Sequence, residues 1–268
     1  MKQFLAREFP DNNGRLKISG REYHYIAEVR RESEGAVIHV RLPDGILRPF
    51  KIEKADRTAK VLVLSSSGLL PQEENSAQMP RIILLQWLLK TKAMDLVVRQ
   101  AAETGVQTLL PVAGRRCVPS VKPGEKNPRW ERIAREARQQ SGSPVATEIP
   151  APVLPEKLPE ALRTAEPEHG TVLRFMLSEI PGSGKTVHEC IRAAQQPAKT
   201  PDRQPPAAVV AVGPEGGMTP EEREILASCG FQEIHFHTNI LRAETAALYG
   251  LAAVQNAITE QATWLLNG

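Results

Sequence analysis

Nowhere in the 268 residues does an apolar run reach the roughly 20 residues that a membrane-spanning helix needs. The opening stretch MKQFLAREFPDNNGR also lacks the apolar centre of a secretory signal. Both absences predict a cytoplasmic protein with no membrane partner. Cysteine is scarce. Cys117, Cys190 and Cys229 are odd in number, far apart and without C-x-x-C spacing. That excludes a disulfide framework and a paired-cysteine zinc site, and predicts free thiols. No segment of the chain repeats.

What is present is an ordinary globular composition, 41% apolar and 24% charged, enough for one large core or two modest ones. The net charge of +3 conceals a segregation along the chain. Residues 1–70 carry 13 basic against 9 acidic side chains, residues 81–142 carry 12 against 5, and residues 143–268 carry 9 against 15. A basic N-terminal half suits a polyanion, and an acidic C-terminal half suits a different ligand. A merely solvated basic face is the competing reading.

Punctuation divides the chain. Residues 1–72 hold short alternating segments, AVIHVRL and KVLVLSS, between the turn signals DNNG and PDG, and read as a small β-rich domain. SGLLPQEENSAQMP reads as a linker, and a second domain spans 77–268. In it, RIILLQWLL, VQTLLPV, TVLRFMLS and AAVVAV read as buried strands. Met94, Val97, Val98 and Ala101 fall at helical spacing, as do Trp130, Ile133, Ala134 and Ala137, and AETAALYGLAAVQNAIT reads as a long closing helix. The alternation implies an α/β domain with a mainly parallel sheet covered on both faces. QQPAKTPDRQPPA reads as a proline-rich surface loop.

Two motifs are misleading. PGSGKT at 181–186 resembles a phosphate-binding loop, but that motif needs glycine where Glu179 stands, and a carboxylate there repels a triphosphate. His235 and His237 share a face of a strand without a visible third ligand, so they read as a structural pair and no metal is expected. The stretch AVVAVGPEGGMTPEERE is more informative. Its first glycine closes a strand, where ligands of parallel sheets bind, and glycines let backbone groups approach a small molecule closely. Behind it, Thr219, Pro220 and Glu222 have the spacing of a capping box. Glu215, inside the loop, disfavours phosphate and suits a cationic ligand. In NILRAETAALYGL, Arg242 precedes the last helix, where a cation is poorly placed for the helix alone. An ion pair with Glu244 is the bland alternative.

Taken together, VGPEGGMTPEE, ILRAETAALYGLA, KTKAMDLVVRQAAETGV, RRCV and RWERIAREARQQSG resemble the RsmE family of SPOUT methyltransferases over most of the chain. The resemblance implies an N-terminal PUA-like β-barrel that binds RNA, then a SPOUT α/β domain with a C-terminal trefoil knot, working as a homodimer. It implies methylation of N3 of a uridine in 16S, the small-subunit ribosomal RNA, with S-adenosylmethionine as cofactor. Three segments would hold that cofactor. They are Leu177, Ser178 and Glu179; then Val212, Gly213, Pro214, Glu215, Gly216 and Gly217; then Ile240, Leu241 and Arg242, with Thr245 and Ala246 behind them. An RNA-binding ribosome-assembly protein of the same fold without turnover, and a transfer-RNA methyltransferase of the superfamily, are the alternatives.

The sequence departs from the family in three places. His237 stands at a usual glycine and Asn239 at a usual arginine, which predicts backbone strain if the glycine has positive φ. YHYIAEVRR replaces the family's H-H-L-x-x-V-L-R, leaving His24 and Arg30 or Arg31 as nearest equivalents, and Ser143 or Pro144 replaces an arginine. In the chemistry so implied, Arg242 would stabilise charge developing on the uracil, and Glu215 or Glu244 would accept the N3 proton. RNA would follow the basic half, through Arg7, Arg15, Lys17, His24, Arg30 and Arg31 in the first domain and Arg115, Arg116, Arg129 and Arg132 in the second. Phosphate contacts then dominate, so RNA affinity is expected to fall steeply between low and moderate salt in filter binding, and a flat dependence would remove this assignment.

Overall fold

The computed structural model describes residues 3–68, 79–118, 121–180, 186–194 and 205–266, the side chains of 261–266 excepted. The linker residues 69–78, residues 181–185 of PGSGKT and residues 195–204 of the proline-rich stretch lie outside them. Two compact units result: residues 1–74 with 139–144, and residues 75–138 with 145–268.

The first unit is a five-stranded sheet in the order β1-β3-β4-β5-β2. Its strands are β1 (Phe4–Leu5), β2 (Arg15–Ser19), β3 (Val37–Arg41), β4 (Leu47–Asp56) and β5 (Val61–Ser66). β1 lies parallel to β3 and the other neighbours are antiparallel. A short helix α1 (Gly20–Tyr23) runs into a π-helical turn at His24–Val29. Strict alternation in β2 sends Leu16 and Ile18 inward, where they join Tyr23, Ile26, Val40, Ile52, Leu62 and Leu64 in one apolar core. The PDG signal is a turn between β3 and β4, with Gly45 at φ 79. β4 is the longest strand and the least legible, because a register shift between Ile52 and Lys54 breaks its alternation. Residues 139–144 pack with this unit: the Gln3 backbone N–H donates to the Gln139 carbonyl at 3.3 Å and its Nε2 to the Ser143 carbonyl at 2.9 Å.

The second unit holds a fully parallel sheet in the order β10-β8-β9-β6-β7. Its elements are β6 (Ile82–Trp87), α2 (Thr91–Glu103), β7 (Thr108–Val112), α3 (Pro128–Ser141, whose residues from 139 onward group with the first unit), α4 (Leu158–Ala165), β8 (Val172–Leu177), α5 (Val187–Ala194), β9 (Ala207–Val212), α6 (Pro220–Ser228), β10 (Gln232–Ile234) and α7 (Ala243–Leu266). Every residue of β6, β7 and β9 is buried, as a sheet covered on both faces requires. Ile82, Leu84, Val210 and Phe175 face one core, made with α2, α3, α5 and α7. Ile83, Leu85, Val209 and Met176 face the other, made with α4 and α6. The stripes read from the sequence are the buried faces of α2 and α3. α4 went unread because Pro159 falls near its start, a position the first helical turn tolerates. Among the described residues no helix is long and apolar enough to cross a membrane.

The packing is tightest at Gly114, just past β7. A Cβ there would lie 2.3 Å from Cδ1 of Trp87 and 2.5 Å from Oε1 of Glu222, both buried. Gly114→Ala is therefore expected to lower stability by about 1–3 kcal/mol, read as an earlier urea midpoint. An unchanged midpoint would mean that the turn has slack the structure does not show.

Candidate functional site

The C-terminal ends of β8, β9 and β10 release three loops that meet in one open cleft of about 1500 Å³. Placement at the carboxyl ends of parallel strands follows from the architecture, since strand interiors are buried on both faces and only their ends are free for polar chemistry. The volume exceeds the roughly 300–1,000 Å³ of a single small-molecule pocket.

The first loop leaves β8 at Leu177. Leu177 packs on Gly250 of α7, where a Cβ would come within 2.4 Å of Leu177 Cδ1, which accounts for a glycine inside that helix. The Ser178 backbone N–H donates to the Ile234 carbonyl at 2.9 Å, and Ser178 Oγ accepts from the Ile180 N–H at 3.1 Å. Glu179 and Ile180 are exposed on the cleft wall.

In the second loop, the three glycines have separate reasons. Gly217 has φ 70 and its N–H closes a turn onto the Pro214 carbonyl at 2.9 Å. Gly213 leaves a Cβ only 3.2 Å from Met218 Cγ, and Gly216 lies along the Arg116 side chain. The loop ends in the capping box that the spacing predicted: Thr219 Oγ1 accepts from the Glu222 N–H and Glu222 Oε2 from the Thr219 N–H. Glu215 is exposed, and its Oε1 accepts a long 3.4 Å hydrogen bond from the Lys90 N–H at the start of α2.

The third loop runs from His235 to Arg242. His235 and His237 lie beyond the end of β10 rather than on a strand, and their rings meet edge to face at 5.3 Å. His235 Nδ1 is 3.1 Å from the Ser178 carbonyl. The strain expected at His237 is absent: Arg31 and Lys60 are the non-glycine residues with positive φ among the described residues. Ile240 is 80% exposed in the cleft, an apolar surface open to a ligand. Arg242 makes no ion pair among the described residues, with Glu244 or otherwise, and its carbonyl accepts from Ala246 N–H at 2.8 Å.

The cleft thus gathers Arg242, Glu215 and Glu244 together with Leu177, Ser178, Glu179, Val212, Gly213, Pro214, Gly216, Gly217, Ile240, Leu241 and Ala246. Thr245 is the exception. It is exposed on the first turn of α7 and is not part of the lining. Sequence reading missed Lys90 and Lys92 at the start of α2, and Arg223 at α6, all of which line the cleft. Arg223 is bonded to Glu233 at 2.6 Å. Glu233 titrates below the usual carboxylate range: burial opposes this, and hydrogen bonding from Ser178 and Arg223 with the Arg223 charge overcomes it. Among the described residues, no group of three or more His, Cys, Asp or Glu has the arrangement of a metal site.

Residues 76–255 match the RNA methyltransferase domain family. The chain belongs to that family. The match agrees with the resemblance drawn from the loop motifs. Ribosomal RNA small subunit methyltransferase E of Aquifex aeolicus strain VF5 is 27% identical over 261 residues, covering 96% of this chain and 100% of its own. The Bacillus subtilis strain 168 protein of the same name is 24% identical over 243 residues, covering 89% of each. A Neisseria gonorrhoeae ribosomal RNA small subunit methyltransferase E, solved bound to S-adenosyl methionine, shares the fold with a TM-score of 0.70, covering 96% of this chain and 97% of its own at 22% identity.

Of the cations read as RNA contacts for this methyltransferase, several are already engaged. Arg15 is bonded to Glu53 with Nε at 2.8 Å, His24 to Glu28, and Arg30 to Glu32 at 2.7 Å. Arg129 grips the buried Asp95 with two nitrogens, at 3.0 and 2.6 Å. Arg7, Lys17, Arg31, Arg115 and Arg132 are exposed, and Arg116 belongs to the cleft.

Cys117 follows Arg116 and is half-buried against both cores of the unit. Burial raises its thiol to about 11, with the Glu222 and Glu215 charges adding to the effect against weaker opposing hydrogen bonds. A folded value above the unfolded one leaves the contribution to stability intact at neutral pH and removes it as pH climbs toward about 11. Iodoacetamide is accordingly expected to label Cys117 about 10- to 100-fold more slowly at pH 8 in the folded than in the urea-unfolded chain, followed by peptide mass spectrometry. Equal rates would show a thiol in free exchange with water.

Proposed function

We propose that the protein transfers a methyl group from S-adenosylmethionine to N3 of a uridine in small-subunit ribosomal RNA. The observation that carries this reading is the convergence of three loops, from three separate strand ends, on one cleft in which Arg242 has no ion-pair partner among the described residues. The residues present fit the cofactor. Leu177, Ile240 and Leu241 offer apolar surface to an adenosine, the tight backbone at Gly213 and Gly217 offers carbonyl and N–H groups at close approach, and Glu215 is a carboxylate suited to a sulfonium cation. When bound, the cofactor supplies an activated methyl group.

The chain's own share of the work is positioning and charge. The loops after β8 and β9 and the loop before α7 hold the donor in this reading, and the last of them also brings Arg242 into the cleft. Holding two reactants at near-attack distance removes much of the entropic barrier. Arg242, with no ion-paired carboxylate among the described residues, stabilises negative charge developing on the uracil oxygens as N3 loses its proton. Glu215 or Glu244 accepts that proton, both being in the lining. The exposed Arg7, Lys17, Arg31, Arg115 and Arg132 are the RNA contacts in this reading. We infer with it the family's remaining properties: a PUA-like barrel closing the first unit's sheet, a trefoil knot near α7, a homodimer, and a cytoplasmic place of work on ribosomal RNA or the small subunit. The alternative without turnover rested on His237 and Asn239, and His237 does not have positive φ.

The test is methyl transfer from labelled S-adenosylmethionine to small-subunit RNA, with the product nucleotide mapped. Arg242→Ala is expected to reduce turnover by about 100-fold while changing cofactor affinity less than about threefold. Full transfer by the variant would exclude the assigned role of Arg242, and no transfer by the wild type to any small-subunit substrate would exclude the activity.

A further inference from the structure

A glycine loop needs support from outside itself, because Gly213, Gly216 and Gly217 give the backbone more freedom than any other residues would. Within residues 213–217 the support is one turn bond, Gly217 N–H to the Pro214 carbonyl. Beyond the long bond from the Lys90 N–H to Glu215, the support comes from the turn after β7, about 100 positions earlier in the chain. Arg116 Nη1 donates to the Gly216 carbonyl at 3.1 Å, and its side chain runs along the loop, 3.5 Å at Cβ from where a Gly216 side chain would start. A charged donor on a carbonyl is among the stronger neutral-to-ion hydrogen bonds.

The base from which Arg116 reaches is itself fixed. Glu222 is 4% exposed, and its two oxygens divide their work: Oε2 accepts from Thr219 N–H at the end of the glycine loop, and Oε1 accepts from Arg115 N–H at 2.7 Å. The Cys117 N–H donates to the Gly114 carbonyl at 3.2 Å, and Gly114 has no room for a Cβ between Trp87 and Glu222. One buried carboxylate therefore joins the turn after β7 to the foot of the glycine loop, and Arg116 joins the same turn to its tip.

We propose that Arg116 is a positioning residue for the glycine loop rather than an RNA contact. It fixes the Gly216 peptide, and so the backbone groups that meet the methyl donor. This rests on the reading of the cleft as the donor site.

Arg116→Met keeps the length of the stem and removes the donors, at an exposed position where folding is not at risk. Three measurements on the full chain test it: amide hydrogen exchange across residues 213–219 without ligand, S-adenosylmethionine binding by calorimetry, and the salt slope of binding to small-subunit RNA. Faster exchange at 216–217, donor affinity about tenfold weaker, an unchanged salt slope and partial rescue by Arg116→Lys are expected. Unchanged exchange, or a salt slope shallower by about one, would overturn the proposal. A wild-type chain that binds no S-adenosylmethionine would instead refute the donor-site reading, while the exchange experiment still decides whether Arg116 holds the loop.

Discussion

The constraint behind the second unit is that a parallel sheet with apolar helices on both faces leaves no strand interior free for chemistry. Ile82, Leu84 and Val210 are committed to one core and Ile83, Leu85 and Val209 to the other, so that successive residues of one strand serve opposite layers. Polar and charged groups are left to the strand ends. The cleft is what remains when three such ends, at Leu177, Val212 and Ile234, lie close together and each opens a loop. Its position is a result of the sheet, and its character is a result of what the loops carry.

Those loops are short of bonds of their own and borrow rigidity. Leu177 is seated on a helical glycine of α7, the loop after β10 meets the Ser178 carbonyl through His235 Nδ1, and Phe236 meets Tyr249 at 5.2 Å between centroids. The glycine loop borrows most, from Arg116 and from the buried carboxylate of Glu222. A site whose backbone groups are its main ligands gains by such bracing, because a peptide that turns away offers a donor where an acceptor was needed. Ion pairing also sorts the cations. Asp95 takes Arg129 and Glu233 takes Arg223, while Arg242 faces the cleft with no ion pair among the described residues.

Much of this was legible in the sequence, and the gaps have physical causes. Period and punctuation sufficed for the buried strands of the parallel sheet, for the faces of α2 and α3, and for the Thr219–Glu222 cap, because each depends on residues near one another in the chain. β4 escaped because a bulge cancels the alternation on which a strand is read, and α4 because proline near a helix start looks like a break. The loop motifs marked most of the cleft. They did not reveal Lys90 and Lys92, which enter the lining because the start of α2 meets the loop after β9 at Glu215, nor that Arg116 spends a donor on Gly216. The ion pairs of Arg15 and Arg129 were not legible either, because their partners Glu53 and Asp95 lie more than 30 positions away in the chain.

Cys117 has a consequence for chemical selectivity. An enzyme that handles an activated methyl group places an electrophile within reach of its own side chains, and sulfur is the best nucleophile among them when ionised. Burial keeps this sulfur protonated across the physiological range, one residue away from an arginine of the cleft wall. The same apolar packing that stabilises the sheet therefore keeps a sulfur nucleophile in its unreactive form, one residue from the cleft wall.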